Sequence, residues 1–536
     1  MAELQETSLA ERLRLAQISR RELLIGGGRF ALGASGALAL AACVSGTTNS
    51  PSSSGGIARF ALSDGSPQDT IDPPRMGKTL FSNITAISIY DNIMVGDEQT
   101  LQPTKNGIVN DWNITSDLKT WTLKVRKGVE FHDGSKLTAA DVAYSIQTQV
   151  QPNGPSPNSA SAGKFLTPDN VKALDDSTVQ LVLNQPNAFF YVYLQNRYMR
   201  VIKQGTTAPN DKHIGTGPFV FKEFTPGQSF HATRNKNYWQ QGKPYLDEIQ
   251  FLQVPEPASQ FQSLTAKQVD LIQALTLPLA KTLQSSSDHA VLQNANSAWT
   301  FLVMDPRVDS RFKNQDLVRA VKLAVDRQEL INTVYSGFAT PGYDTPIPSS
   351  DGFFNSKLTL PTRDLSAVNE HLKAAGYSNG VDLGALYTGD ITGAMVNFAQ
   401  ALQQQLASAN IKCTIQQADA ATYYDNIWMK KSLYVTYNLR RTPAEVFKIF
   451  YGKDAPYNET GFKPPEFDAA LSDASSTSDF AKQKTAFDTA QQLVYDQDTR
   501  VLPLFAADVY GVDKRLQDVR LGPLNIVSFA DAKWTK

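Results

Sequence analysis

The sequence predicts an α/β fold built as two or three lobes, and three observations predict it. The chain has 536 residues, more than one core can organise, since single cores stop growing at roughly 250–300 residues. Met395, Phe398, Ala399, Leu402 and Leu406 recur at helical spacing and lead straight into Ile411-Lys412-Cys413-Thr414-Ile415, whose apolar residues alternate. A period of 3.6 giving way to a period of 2 marks an α/β unit. Near residue 120 the order is reversed: Trp121, Leu123 and Val125 alternate with Thr122, Lys124 and Arg126, Asp133-Gly134 turns, and Thr138-Ala139-Ala140-Asp141 opens a helix with a capping box.

At the N-terminus, Arg20 and Arg21 precede an apolar or small stretch over residues 30–42, the order of charged and apolar regions in a signal peptide. At about thirteen residues this stretch is well short of the roughly 20 that a transmembrane helix needs. Leu23 completes a resemblance to the twin-arginine export signal, whose route carries folded cargo. Leu40-Ala41-Ala42-Cys43 resembles a lipoprotein cleavage box, in which the peptide is cut before Cys43 and the thiol takes a diacylglycerol; an ordinary cleavage site with an incidental cysteine is the alternative. Two acyl chains anchor stably where one does not. Residues 1–43 are expected as a signal peptide with lipobox, and 44–56, rich in Ser, Thr, Asn, Pro and Gly, as a flexible tether. The expected location is the periplasm or cell envelope.

Beyond the helix capped at Thr138, where Val142, Ser145, Ile146 and Gln149 share a face, Phe219-Val220-Phe221-Lys222-Glu223-Phe224 reads as a strand after the Gly215-Thr216-Gly217-Pro218 turn. One long helix is expected over about 316–335, with Leu317, Val321, Ala324, Val325, Ile331 and Val334 along its stripe, and another carries Phe480, Phe487, Ala490 and Val494. With Cys43 lipidated, Cys413 is left without a disulfide partner, and the alternation around it predicts a buried, inert thiol.

Composition narrows the function. Lys and Arg number 51 against 52 Asp and Glu, with no long block of either sign, so nothing recommends nucleic acid as a partner. The five histidines, His132, His213, His231, His289 and His371, fall at none of the spacings that build zinc sites, and no G-x-S-x-G elbow is present. Met76-Gly77-Lys78-Thr79 lacks the first glycine of a phosphate loop, its place being taken by Asp72, and Gly215-x-Gly217 runs into Pro218, which has no N–H to offer a phosphate. Asp133 and Asp141 are explained as a turn and a cap aspartate. The expectation is a protein without catalytic machinery, cofactor or metal.

Several segments together resemble the family 5 extracellular solute-binding proteins, the peptide and nickel binding components of ABC importers. They are Thr70-Ile71-Asp72-Pro73, Tyr90-Asp91, Leu101-Gln102-Pro103, the block over 121–142 with its Phe131-His132-Asp133-Gly134 turn, Gly215-Thr216-Gly217-Pro218-Phe219, Asn237-Tyr238-Trp239, Val318-Arg319-Ala320, Ala324-Val325-Asp326-Arg327, Ala374-Ala375-Gly376-Tyr377 and Pro465-Glu466-Phe467-Asp468. The resemblance implies a type II periplasmic-binding fold with two lobes, a hinge and an extra inserted domain. Lobe I is expected from 57–90, 214–305 and 505–536, the inserted domain from 91–213 and lobe II from 306–504. It further implies a monomer that takes a short peptide or peptide-like ligand in the cleft and docks on an ABC permease and its ATPase, tied to the membrane by its lipid anchor. An oligosaccharide, an opine-like conjugate or a metal chelate is the alternative cargo, and a secreted hydrolase the alternative of another class.

In peptide binders of this family a tryptophan and aspartate-rich residues after a lobe II strand hold the peptide amino terminus. Here the stretch reads Leu433-Tyr434-Val435-Thr436-Tyr437-Asn438-Leu439-Arg440-Arg441-Thr442-Pro443. The acidic partner is missing, and the pattern resembles a branch with Trp-x-x-Arg-x-x-Pro in which Tyr437 replaces the tryptophan. Arg440, Arg441, Tyr437, Asn438 and Trp428 become the candidate ligand-binding residues: a guanidinium fork matches a carboxylate, and an aromatic face stacks on a side chain or sugar ring. The alternative for either arginine is an ion pair between lobes or at the surface, and for either aromatic a place in the core.

Overall fold

Two long strands, His289–Met304 and Leu504–Asp513, run through both halves of an eleven-stranded mixed sheet and organise everything else. A computed structural model describes residues 55–77, 79–98, 100–207, 212–522 and 526–535. Arg20, Arg21 and Cys43, and the tether up to residue 54, lie outside them. The last two residues of the expected tether are fixed in place, with Gly55 N donating to Tyr245 O at 2.8 Å and Gly56 N to Asp247 Oδ2 at 2.8 Å.

In one half of the sheet Ile57–Leu62 pairs in parallel with Glu248–Gln253, which continues antiparallel to Ser229–Arg234 and then Phe219–Thr225. In the other half Val381–Gly389 pairs in parallel with Ile411–Ala418 and touches Leu433–Leu439. The long strand joins the halves: residues 289–294 pair with 508–513, the register breaks, and residues 298–304 pair with 433–439. Asn296 sits at the break with φ of 59°, a left-handed conformation that Asn tolerates better than most residues. Its amide is tied down on both sides, donating to Ser350 Oγ and accepting from Thr340 Oγ1. Such a bulge bends a strand and re-aims the residues beyond it.

The strand-turn-helix reading near residue 120 holds. Thr120–Val125 is the second strand of a four-stranded antiparallel sheet with Trp121, Leu123 and Val125 buried, and Thr138 caps Ala139–Gln149, its N–H donating to Asp141 Oδ2 at 2.8 Å. The small sheet shares a core with the second half of the large one; Phe189, whose neighbour Phe190 packs edge-on to Trp121, lies 5.8 Å ring to ring from Phe487. A separate core under the first half gathers Phe60, Phe230, Phe251 and Phe529.

The helix expected over 316–335 is two, Gln315–Ala324 and Arg327–Val334. Val325 is extended and Asp326 caps the second helix, accepting from Glu329 N at 2.9 Å, while Gln405 bonds both the N–H and the carbonyl of Asp326 across the break. Phe480 departs from its stripe: it is half exposed at the start of Phe480–Gln497 and stacks on Phe353. Cys413 behaves as its alternation predicts, buried on Ile411–Ala418 with burial pushing its thiol up to about 11.

Candidate ligand-binding cleft

Four of the short motifs meet in space around one carboxylate. Asp91 follows helix Leu80–Ile89; its Oδ2 accepts from Thr216 Oγ1 at 2.9 Å and from Trp239 Nε1 at 2.9 Å, and its Oδ1 from Tyr238 OH at 3.0 Å. Burial pushes the carboxyl up to about 6, against the pull of these bonds and of the nearby Arg200. Arg126, just past the strand Thr120–Val125 in the 121–142 block, caps the arrangement with its guanidinium 4.6 Å from the Trp239 ring, a cation–π contact.

The Gly215-Thr216-Gly217 turn reaches Asp91 because it has no side chains at its glycines. A Cβ on Gly215 would fall 2.0 Å from Ile89 O, and one on Gly217 would fall 2.6 Å from Ile89 C. The turn is clasped from the other side by His132, whose Nδ1 accepts from Gly215 N at 3.3 Å while Nε2 lies 3.0 Å from Gly217 O. These partners assign the neutral tautomer with the proton on Nε2, and burial pushes the imidazole below its ordinary range.

This framework is one wall of a cavity of about 1150 Å³, above the usual range for small-molecule pockets. Arg126, Arg197, Arg200 and Lys243 line it together with Asp91, Asp97, Glu98 and Asp531, and Arg440, Arg441, Thr442 and Glu445 line it as well. The cavity offers both signs of charge. Among the described residues no group of three His, Cys, Asp or Glu side chains gathers as a metal site, and no helix is long and apolar enough to cross a membrane.

The sequence-predicted residues divide. Arg440 and Arg441 line the cavity. Arg440 is buried with Nη2 3.6 Å from Asp351 Oδ2; Arg441 donates from Nη1 to Leu439 O at 3.0 Å and lies over the Phe450 ring. Tyr437, Asn438 and Trp428 are not among the lining residues. Trp428 donates from Nε1 to Glu459 Oε1 at 2.9 Å and packs between Tyr424 and Tyr457, and the buried Glu459 pairs with Arg500. Tyr437 and Asn438 are half-buried at the end of Leu433–Leu439. Sequence reasoning missed Asp91 as the organiser, although it and its partners stand in three of the short motifs, and it missed Arg200 altogether, for which the sequence carries no signal.

A family model described as bacterial extracellular solute-binding proteins, family 5 Middle, matches residues 104–453. The chain belongs to this family. The family 5 chain is 25% identical over 489 residues to the glutathione-binding protein GsiB of Pectobacterium atrosepticum, a match that covers 88% of this chain and 93% of that one. Among solved structures it is similar to HbpA2 from Haemophilus parasuis, with a TM-score of 0.78 and 18% identity over 90% of this chain and 100% of the other. It is also similar to the ABC transporter-associated periplasmic binding protein DppA from Helicobacter pylori in complex with the peptide STSA, with a TM-score of 0.65 and 20% identity over 90% and 99%. The fold of this family 5 member is the two-lobed type II periplasmic-binding architecture.

Proposed function

We propose that this protein is the extracytoplasmic substrate-binding component of an ABC importer, which captures short peptides or peptide-like solutes in its cleft and hands them to a membrane permease. The observation that carries the reading is the cavity of about 1150 Å³ lined by charges of both signs, a size and polarity suited to a zwitterionic peptide. The names of the relatives point the same way, GsiB to glutathione and DppA to a bound peptide. The protein acts by binding and release as a monomer, with no bond made or broken. Lobe I is assigned to 57–90, 214–305 and 505–536, the inserted domain to 91–213 and lobe II to 306–504. The hinge is assigned to the point near Asn296 where the two long strands cross between halves. Export through Arg20 and Arg21 and lipidation of Cys43 tether the protein to the membrane.

Calorimetric titration of the purified protein with glutathione and with unmodified tri- and tetrapeptides tests the reading. Saturable binding is expected, with a melting point that rises with ligand, since a ligand at a hundred times its Kd adds about 2.7 kcal/mol. Failure of every peptide, with a rise given by an oligosaccharide, an opine or a metal chelate, overturns it in favour of that cargo.

A further inference from the structure

We propose that Arg200 holds a carboxylate of the peptide-like ligand at the inner wall of the cleft. The inference rests on the peptide reading above and names the residue that sets its preference for an acid. Arg200 is 1% exposed, yet it lines the cavity. Its Nε donates to Arg197 O at 3.0 Å, which orients the guanidinium plane. Its Nη1 and Nη2 are buried and have no hydrogen-bond partner among the described residues. The fork is thus held at Nε and left with its two terminal nitrogens unpaired among the described residues, the edge that grips a carboxylate through two parallel bonds.

No carboxylate among the described residues meets this edge. Asp91 stands near enough to exert a pull on Arg200, but the hydrogen bonds its oxygens accept come from Thr216, Tyr238 and Trp239 and not from the guanidinium. A buried guanidinium without a full partner is a costly group, and burial lowers Arg200 to about 9 despite Asp91. Arg440 differs in that it already has Asp351 at 3.6 Å, and Arg441 in that its Nη1 is spent on Leu439 O.

Two unpartnered acceptors line the same cavity. Asn92, whose backbone bridges to that of Arg200, and Gln195 both line the cavity. Asn92 Oδ1 and Gln195 Oε1 are buried without a partner among the described residues, while their amide nitrogens are engaged, Asn92 Nδ2 with Gln195 O at 3.3 Å and Gln195 Nε2 with Leu101 O at 2.9 Å. Donors for a carboxylate beside acceptors for N–H groups match the end of a peptide, where both occur within one residue.

The test compares acids with their capped forms on the purified protein. Glutathione and its diethyl ester, and Ala-Leu-Ala and its C-terminal amide, are titrated by calorimetry into wild type, Arg200→Gln and Arg200→Lys. Wild type is expected to favour an acid over its capped form by at least about thirtyfold, the low end for a desolvated charge pair. In Arg200→Gln that ratio collapses towards unity, and in Arg200→Lys, which keeps the charge but loses the fork, it falls to an intermediate value. An undiminished ratio in either variant, or a wild type indifferent to capping, overturns the assignment while leaving the peptide reading intact. Should Arg200→Gln not fold, Arg200→Lys and the capping ratio of wild type decide between the same two outcomes. Failure of wild type to bind any of the four probes overturns the peptide reading and the inference with it.

Discussion

Arg440 Nη2 and Asp351 Oδ2 stand 3.6 Å apart with both side chains shut off from solvent, and burial works against each of them. It pushes Asp351 up to about 6 and Arg440 below its ordinary range, although each charge favours the other. Desolvation therefore outweighs the attraction, the usual balance for a buried pair of indifferent geometry.

From this pair we expect a large cost for removing one partner and a small one for removing both. Asp351→Asn keeps an oxygen for Phe353 N, which donates to Asp351 Oδ1 at 2.9 Å, but removes the negative charge beside the buried Arg440 guanidinium, at roughly 3–5 kcal/mol. Arg440→Met in the same chain should recover most of that loss. Urea midpoints of the four proteins give the coupling, and a value under about 0.5 kcal/mol would mark a solvent-screened pair.

The same carboxyl makes a pH prediction. Folding raises Asp351 from 3.8 to about 6, so the native state takes up a proton there between those values. Its contribution is present at acid pH and is lost as pH rises through about 6, a swing on the order of 2–3 kcal/mol. The stability of wild type relative to Asp351→Asn should fall from pH 4 to pH 6 and then level off; a difference independent of pH refutes it. His132 works in the opposite sense, since its lowered value removes stability as pH falls below about 6.5.

Gly215→Ala should be among the most damaging small changes to the cleft. The new methyl would meet Ile89 O at 2.0 Å, and backbone cannot yield as a side chain can, so a loss of about 1–3 kcal/mol or more is expected. Gly242→Ala is the contrast, with φ of 79° and open space around it, where only the left-handed strain of about 1–2 kcal/mol applies. Thermal melts rank the two, and equal losses would show that the turn tolerates displacement.

Cys43→Ser should move the protein from the membrane fraction to the soluble one if the Leu40-Ala41-Ala42-Cys43 box is lipidated. Changing Arg20 and Arg21 to Lys should leave precursor in the cytoplasm. Unchanged membrane association, or processing at the normal rate, points to an ordinary cleavage site or to the general secretory route.

Hinge closure about the long strands should reduce the radius of gyration when a bound peptide saturates the cleft. Small-angle scattering with and without ligand checks it, and identical values would mean that the lobes do not move towards one another.

Much of the fold was legible because its signals are local. The alternation over 120–125, the capping box at Thr138 and the helix that feeds Ile411–Ala418 all depend on neighbours in sequence. The break at Val325 was legible too, as Asp326 with Glu329 three residues on, but an unbroken apolar stripe masked it. Of the cleft, Arg440 and Arg441 were legible and the rest was not. Arg200 becomes an unpaired buried guanidinium only because Asn92 and Arg197 fix its backbone and Nε, and Trp428 looks like a stacking platform until Glu459 is seen to hold its indole N–H.

Asp91 gathers donors 125, 147 and 148 residues further along the chain. Until Tyr238 and Trp239 have arrived, nothing completes the set of bonds that keeps this carboxylate comfortable away from water, and loops of that length must close first at an entropic cost that grows with the logarithm of their size. Contacts this distant slow a folding reaction. The inner wall of the cleft is therefore late to assemble, and a chain truncated before residue 238 should remain open to proteases around Asp91 however well its small sheet has formed.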